Sequence, residues 1–410
     1  MTQDRAICTI IAKNYVPFAR TLAQSFLSFH PDYKCYVLIV DDFEEYIHPY
    51  AERFEILNLT DLEIPNLPSF CFKYSVKELC TASKAHLLDY LICKKGVNRL
   101  LYLDPDILVT GALSGIFDKL STHDIVLTPH LDMNYPDDDL LPDDGHILRA
   151  GQFNLGFIGV NSSNDAKSFL DWWKAKLYKK CVIDPLNGYF VDQKFIDFVP
   201  IFFKNIFIET DVGYNVAYWN LHSRRISREN GAWRCNGGPM YFFHFSGYSP
   251  EGSAISSHIP ASLARYSLSN RPDLKTLFAE YKNLLIGNGY EQAICWPYTY
   301  DSLKTGEPIT DNLRRYYRSL PEKWRSVKDP FASHKLRRLA GIYSQAGMSR
   351  PRAATDPVIA PPSAEQQLNA ILNSRAWRWV CRYGRFKNRY LVPVYKLLTR
   401  FSGSKRKVIR

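Results

Sequence analysis

This chain of 410 residues has no C-x-x-C pair, no long apolar run and, from Arg375 to Arg410, no acidic side chain. Each absence excludes something. The nine cysteines (Cys8, Cys35, Cys71, Cys80, Cys93, Cys181, Cys235, Cys295 and Cys381) are scattered and odd in number. A disulfide framework and a zinc site are disfavoured, and a reducing compartment is expected. No stretch approaches the roughly 18 apolar residues of a membrane-spanning helix. The chain enters a strand-like run within a few residues of Met1, without the form of a secretory signal. Both features point to a cytoplasmic protein. The acid-free stretch carries twelve Lys and Arg residues, so a net charge of +11 leaves 11 − 12 = −1 for everything before it. The basicity belongs to the tail, and a near-neutral core argues against a nucleic-acid binder. Composition is otherwise globular, 46% hydrophobic and 23% charged, and the length allows one large α/β core with an appendage.

Residues 99–111 (RLLYLDPDILVTG) organise that core. Residues 100–103 are a short all-apolar run, the pattern of a strand buried on both faces in a parallel sheet. Asp104 and Asp106 follow at its C-terminal end, with Pro105 fixing the backbone between them. Ligands of open α/β sheets bind beyond the carboxyl ends of the strands. Residues i and i+2 of an extended chain point to one side, so both carboxylates can reach one cation. Oxygen ligands suit Mg²⁺ or Mn²⁺. An isolated Asp-x-Asp is otherwise a turn or a solvated loop. The buried run before this one, and the apolar Ile107, Leu108 and Val109 after it, favour a site.

The rest of the chain supplies its surroundings. Residues 6–12 read as a first strand, 13–15 as a turn, 17–29 as a helix and 36–40 as a second strand, together a βαβ unit. Residues 75–95 have helical spacing and carry Lys84, and 125–128 form a strand. The acidic stretch 132–144 is broken by prolines and reads as a lid or a solvated loop. A strand with glycines occupies the second half of 150–160, and 166–177 is a helix with Phe169, Trp172, Trp173 and Leu177 on its apolar side. Asp192-Gln193 opens a short helix, where an acidic cap residue is at home. The polar and aromatic loop 211–220 is assigned a structural role. An aromatic strand at 241–248 delivers His244 and then Gly247. Residues 266–320 read as capping helices.

Leu101-Tyr102-Leu103-Asp104-Pro105-Asp106-Ile107-Leu108-Val109 resembles the Asp-x-Asp region of nucleotide-sugar glycosyltransferases with the GT-A fold. The likeness is to the glycogenin-like branch and its bacterial polysaccharide relatives, and covers most of residues 5–320. It implies a Rossmann-like, mostly parallel central sheet flanked by helices, with Asp104 and Asp106 holding a divalent cation against the donor diphosphate. It implies His244, in a strand-end His-x-x-Gly that closes on Gly247, as the third ligand. Imidazole tips the preference from Mg²⁺ toward Mn²⁺. Asn14 and Tyr15 are implied to line a uridine pocket, with Ala12 and Lys13 where some relatives carry an aspartate that reads the base. Lys84 is implied to contact donor phosphate or sugar. Asn154 and Gly156, matching the family's Asn-x-Gly strand, would face the donor sugar, and Asp192 and Gln193 the anomeric carbon and attacking hydroxyl. Relatives carry a lysine shortly after the glycine; here Pro250, Glu251 and Ser253 follow, leaving His258 or Arg265 for its place.

The expectation is an α/β GT-A glycosyltransferase domain at 1–320, a helical extension at 321–348, a proline-rich linker at 349–363 and a basic amphipathic helical tail at 364–410. The resemblance implies transfer of a sugar from a nucleotide-sugar donor, a UDP-sugar, to a glycan or lipid-linked saccharide, with retention, in cell-surface polysaccharide synthesis. Basic and aromatic residues without acids fit an anionic membrane surface, which would put the protein on the inner face of the membrane. No nucleic acid is expected. A sugar-phosphate nucleotidyltransferase would share the sheet and the carboxylates but needs a glycine-rich loop after the first strand, and Ala12-Lys13-Asn14-Tyr15 has no glycine. A non-catalytic binding protein that uses the tail is the other alternative.

Overall fold

A computed structural model describes residues 4–325 and 329–347. The linker and tail expected at 349–363 and 364–410 lie outside the described residues. The chain opens with β1 (Arg5–Ile11), a single 3-10 turn at Lys13–Tyr15, α1 (Val16–Phe29), β2 (Lys34–Ile39) and β3 (Glu55–Asn58). β1 is buried at every residue from Ala6 onward, as an interior parallel strand must be. In α1, Phe18, Leu22 and Phe26 recur at helical spacing on the buried side, and Pro17 occupies the first turn, where its missing N–H costs nothing. Next come α2 (Leu67–Lys73), α3 (Val76–Cys93), β4 (Arg99–Leu103), β5 (Ile107–Val109), α4 (Ser114–Lys119) and β6 (Ile125–Pro129). They are followed by α5 (Asp144–Ala150), β7 (Phe153–Asn161) and α6 (Asn164–Lys180). Ser75 and Glu78 start α3 with a reciprocal capping box.

Seven strands form the central sheet, in the order Ile206–Ile208, β6, β7, β4, β1, β2, β3. β4, β1, β2 and β3 run parallel, as do β6 and the Ile206–Ile208 edge. β7 runs against both its neighbours. The sheet is thus mostly parallel and flanked by helices, with one reversed strand. β7 is buried along eight of its nine residues, so its pattern alone carries no sign of that reversal. Alternate residues of β1 feed two cores. Ala6, Cys8 and Ile10 meet Leu87 and Leu91 of α3 and Trp173 of α6. Ile7 and Ile11 meet Val16 and Phe26 of α1 and Phe117 of α4.

A second, three-stranded sheet adjoins the first. β5 leaves the central sheet directly after Asp106 and pairs antiparallel with Phe242–His244, setting Ile107 opposite His244. Phe242–His244 pairs parallel with Val216–Ala217. In the 211–220 loop, Asn220 accepts from the Ala217 N–H at 2.9 Å and donates to the Asn215 carbonyl at 2.9 Å. Helices at Lys275–Gly287, Tyr290–Ala293 and Asp311–Ser319 cap the fold. Leu336 and Ala340, from the helix His334–Gly347, join the same core as α3. Among the described residues, no helix is long and apolar enough to cross a membrane.

Arg314 ties this cap to α2. It is 2% exposed and donates to the carbonyls of Phe72, at the end of α2, at 2.8 Å and of Tyr300 at 2.6 Å. Arg314→Leu strands both carbonyls and should cost about 2–4 kcal/mol. Arg314→Lys cannot span the two and should recover only part of that. Urea denaturation checks it; a leucine variant with the native midpoint would show that the guanidinium holds nothing.

Candidate active site

The site is made by strand register. Past the end of β4, the Asp104 N–H donates to the Gly156 carbonyl at 2.7 Å, which fixes Asp104 to β7. The Ile107 N–H returns to the Asp104 carbonyl at 3.2 Å, closing a tight turn. The Phe245 N–H donates to the Asp106 carbonyl at 2.9 Å, which fixes Asp106 to the strand that carries His244. One ligand atom from each of Asp104, Asp106 and His244 then lies within 4.8 Å of the others. His244 Nε2 is 3.1 Å from Asp106 Oδ1 and 3.8 Å from Asp104 Oδ2. The imidazole is buried against the edge of Trp219, ring centroids 5.2 Å apart. Gly156 makes room for it: a Cβ there would stand 2.3 Å from His244 Cε1. Gly247 has a φ of +74°, and a Cβ on it would meet Ser256 Oγ at 2.6 Å, so only glycine suits this turn.

Behind the turn lies a buried cation. Lys84 of α3 is 1% exposed; its Nζ lies 2.6 Å from Asp192 Oδ2 and 3.8 Å from Asp104 Oδ1 and donates to the Leu155 carbonyl at 2.6 Å. It also stands 4.1 Å from the centre of the Tyr102 ring, whose hydroxyl donates to Asp104 Oδ1 at 2.7 Å. Burial opposes the ammonium, but Asp192 and then Asp104 outweigh it, and the Lys84 pKa is raised. Burial holds Asp192 above the ordinary carboxylate range even beside Lys84. Burial likewise works against the Asp106–His244 pair, yet each favours the other's charge: Asp106 is lowered and His244 raised.

The eleven residues expected to hold the cation, the donor or the anomeric centre all line one cavity of about 1060 Å³ at the carboxyl end of the sheet. Asn14 and Tyr15 enter from the turn after β1, with Tyr15 stacked on Phe18 at 4.6 Å. Lys13 turns away and donates to the Asp42 carbonyl at 2.9 Å and to Thr299 Oγ1 at 3.1 Å. Asp192 precedes a 3-10 helix but makes no side-chain cap, its carboxylate going to Lys84. Gln193 brackets the start of β7, accepting from the Leu155 N–H at 3.2 Å and donating to the Ala150 carbonyl at 3.0 Å. Asn154 Oδ1 accepts from the Gly156 N–H at 3.1 Å. Of the two replacements considered for the missing lysine, His258 lines the cavity. Arg265 is instead engaged by Asp138 and by the Leu140 carbonyl. The acidic stretch is thereby tied down: Asp132 accepts from Ser223, and Asp143 caps α5, whose residues His146, Ile147 and Arg149 form part of the cavity wall.

Among the wall residues that the sequence reading did not single out are His130 and Trp219. His130 follows β6, at the same strand-end level as Asp104, and the strand-end rule applied to β6 would have found it. Burial pulls it down to about 4, leaving a neutral ring. Trp219 lies in the loop given a structural role, yet it borders the cavity and packs edge-on against both His130 and His244.

No family model matches the chain. It is 24% identical over 250 residues to YfnD of Bacillus subtilis (strain 168), an uncharacterised protein, covering 59% of this chain and 77% of that one. YfnF of the same organism, also uncharacterised, is 26% identical over 250 residues, covering 59% and 81%. Among solved structures, the galactosyltransferase LgtC in complex with donor and acceptor sugar analogs is 16% identical, covering 69% of this chain and 95% of its own, with a TM-score of 0.40.

The Gly156–His244 contact makes a sharp prediction. Gly156→Ala should lose about 1–3 kcal/mol by overpacking. In a His244→Ala background the same substitution should cost much less, because the ring it strikes is gone. A double-mutant cycle by chemical denaturation measures this, and additive costs would refute the contact.

Proposed function

We propose that this chain is a metal-dependent glycosyltransferase that moves a sugar from a nucleotide-sugar donor, a UDP-sugar, to a saccharide or lipid-linked acceptor. One observation carries the reading: two carboxylates and an imidazole converge on the wall of a cavity that is large by the standard of ligand sites. The donor set fits a hard-to-borderline divalent cation, since His244 Nε2 faces both carboxylates and no thiolate takes part. Asp104, Asp106 and His244 would hold Mn²⁺, or Mg²⁺. Bound there, the cation supplies Lewis-acid neutralisation of a departing diphosphate.

The other residues act around that centre. Asn14 and Tyr15 border the end of the cavity nearest β1, where the nucleotide would lie. Lys84 keeps its charge, which sets Asp104 for the cation and leaves Asp192 as a fixed negative wall. Such preorganised charge stabilises the cation-like sugar of a glycosyl transition state at no reorganisation cost. Gln193 and Asn154 hold the start of β7, so Gly156 and Asp104 stay in register. The likeness to the glycogenin-like branch is what supports retention of configuration, and the bacterial likeness together with the basic tail supports a cell-surface glycan or lipid-linked saccharide as acceptor. The acid-free tail would keep the protein on an anionic membrane surface.

Asp104→Asn and Asp106→Asn should each abolish donor hydrolysis and transfer while leaving the fold intact. Full turnover in EDTA, or in either variant, would end the metal-dependent reading.

Protons and the cation compete for His244, and the signs are opposite. Its folded-state pKa is raised by Asp106. The pair therefore stabilises the metal-free fold fully below the unfolded histidine pKa of about 6.5, and the gain is lost as pH rises through the folded value. Cation binding needs the neutral ring and strengthens in the same interval. The melting-temperature increment from Mn²⁺ with UDP should grow from pH 6 to pH 8, and His244→Ala should flatten that slope. A pH-independent increment in native protein would remove His244 from the ligand set.

A further inference from the structure

Trp219 stands between two histidines of the cavity wall. Its ring centre lies 5.3 Å from that of His130 and 5.2 Å from that of His244, with the planes at 73° and 89°. All three side chains are buried. The chain is bent to bring the indole there. Val216–Ala217 pairs with the strand of His244, and the register sets Ala217 beside His244. The buried Asn220 then closes a turn, accepting from the Ala217 N–H and donating to the Asn215 carbonyl. Trp219, two residues past the strand, thereby comes back against the imidazole.

The two histidines are held differently. His130 is fixed by hydrogen bonds. Its N–H donates to the Gln152 carbonyl at 2.9 Å, and its ring Nε2 accepts from the Asn154 amide at 3.2 Å. Asn154 Oδ1 already accepts from the Gly156 N–H and from the Asn215 amide, so the Asn154 nitrogen is the end left to face His130. His244 presents Nε2 to Asp106 and Asp104, but its Nδ1 is buried, and among the described residues it has no hydrogen-bond partner. Gly156 covers that edge of the ring: a Cβ there would stand 2.6 Å from Nδ1. A histidine that holds a metal is ordinarily oriented by a hydrogen bond from its second nitrogen. Here packing takes the place of that bond. Among the described residues, Trp219 is the one aromatic ring against His244.

We propose that Trp219 is a positioning residue: backed by the fixed His130, its indole keeps the His244 imidazole turned with Nε2 toward Asp104 and Asp106. The consequence for cation affinity rests on the metal-dependent reading above, whereas the held ring does not.

The test uses the full chain with isotope-labelled histidine, free of metal, and His244→Ala identifies the ring signals of residue 244. Trp219→Phe keeps a flat ring in the wedge, and Trp219→Met fills the space with a flexible chain. The His244 ring signals should be single and sharp in the native and phenylalanine proteins, and broadened or split in the methionine variant. Calorimetry should then find Mn²⁺ bound about tenfold more weakly by Trp219→Met, and near the native affinity by Trp219→Phe. Mg²⁺, which leans on the carboxylates, should change less. Broad or doubled His244 signals in the native protein would overturn the proposal whatever the variants do. So would sharp signals with native Mn²⁺ affinity in a folded Trp219→Met, which would reduce the indole to filling. Broadening in Trp219→Met, with Mn²⁺ bound by none of the proteins, would support the positioning role and end the metal-dependent reading, so the two failures are told apart.

Discussion

Asp104 and Asp106 occupy the step by which the chain leaves one sheet and enters another. β4 is bonded to β1 and β7, and three residues later β5 is bonded to the strand that ends in His244. The amide of Asp104 and the carbonyl of Asp106 are each spent on a different sheet. The carboxylates cannot turn apart without breaking a ladder, and His244 cannot slide along β5 without losing its pairing. Everything else in the cavity is built onto this joint.

The electrostatics follow from the same joint. Three carboxylates stand in a small volume, and two buried bases answer them: His244 beside Asp106, and Lys84 between Asp192 and Asp104. Burial opposes the charges of Lys84, Asp106, Asp192 and His244, and each of the four has a partner of opposite charge. Lys84 also donates to a backbone carbonyl of β7, which makes it a strut as well as a counter-charge.

Much of this was legible in the residues. The strands β1, β2, β4 and β6 and the helices α1, α3 and α6 follow from buried runs and helical spacing, and Asp-x-Asp at a strand end carries its own chemistry. What could not be read was direction and register. A strand buried on both faces looks the same whichever way it runs, so the reversal of β7 left no mark. The glycine at 156 was seen as space for a ligand, whereas the structure fills that space with the His244 ring; the partner lies 88 positions away, and periodicity does not report on such distances. The resemblance implies that Lys84 contacts the donor; in the structure it lines the cavity as a buried cation facing Asp192 and Asp104, a placement that periodicity along α3 does not report. Asp192 has the sequence of a helix cap and the side chain of an ion pair.

The ring of His244 resting over Gly156 has a consequence for descent. Neither residue is free to drift alone: any side chain at 156 strikes both the imidazole and Asn154 Oδ1, and loss of the imidazole removes the tighter of the two clashes. Among homologous chains these two sites should therefore change together or not at all, and a chain with alanine or serine at 156 should also have given up the histidine. The pair forms a signature of the site that is spread over two distant segments, and it would distinguish an intact Asp-Asp-His cluster from one abandoned during evolution, even where both aspartates survive.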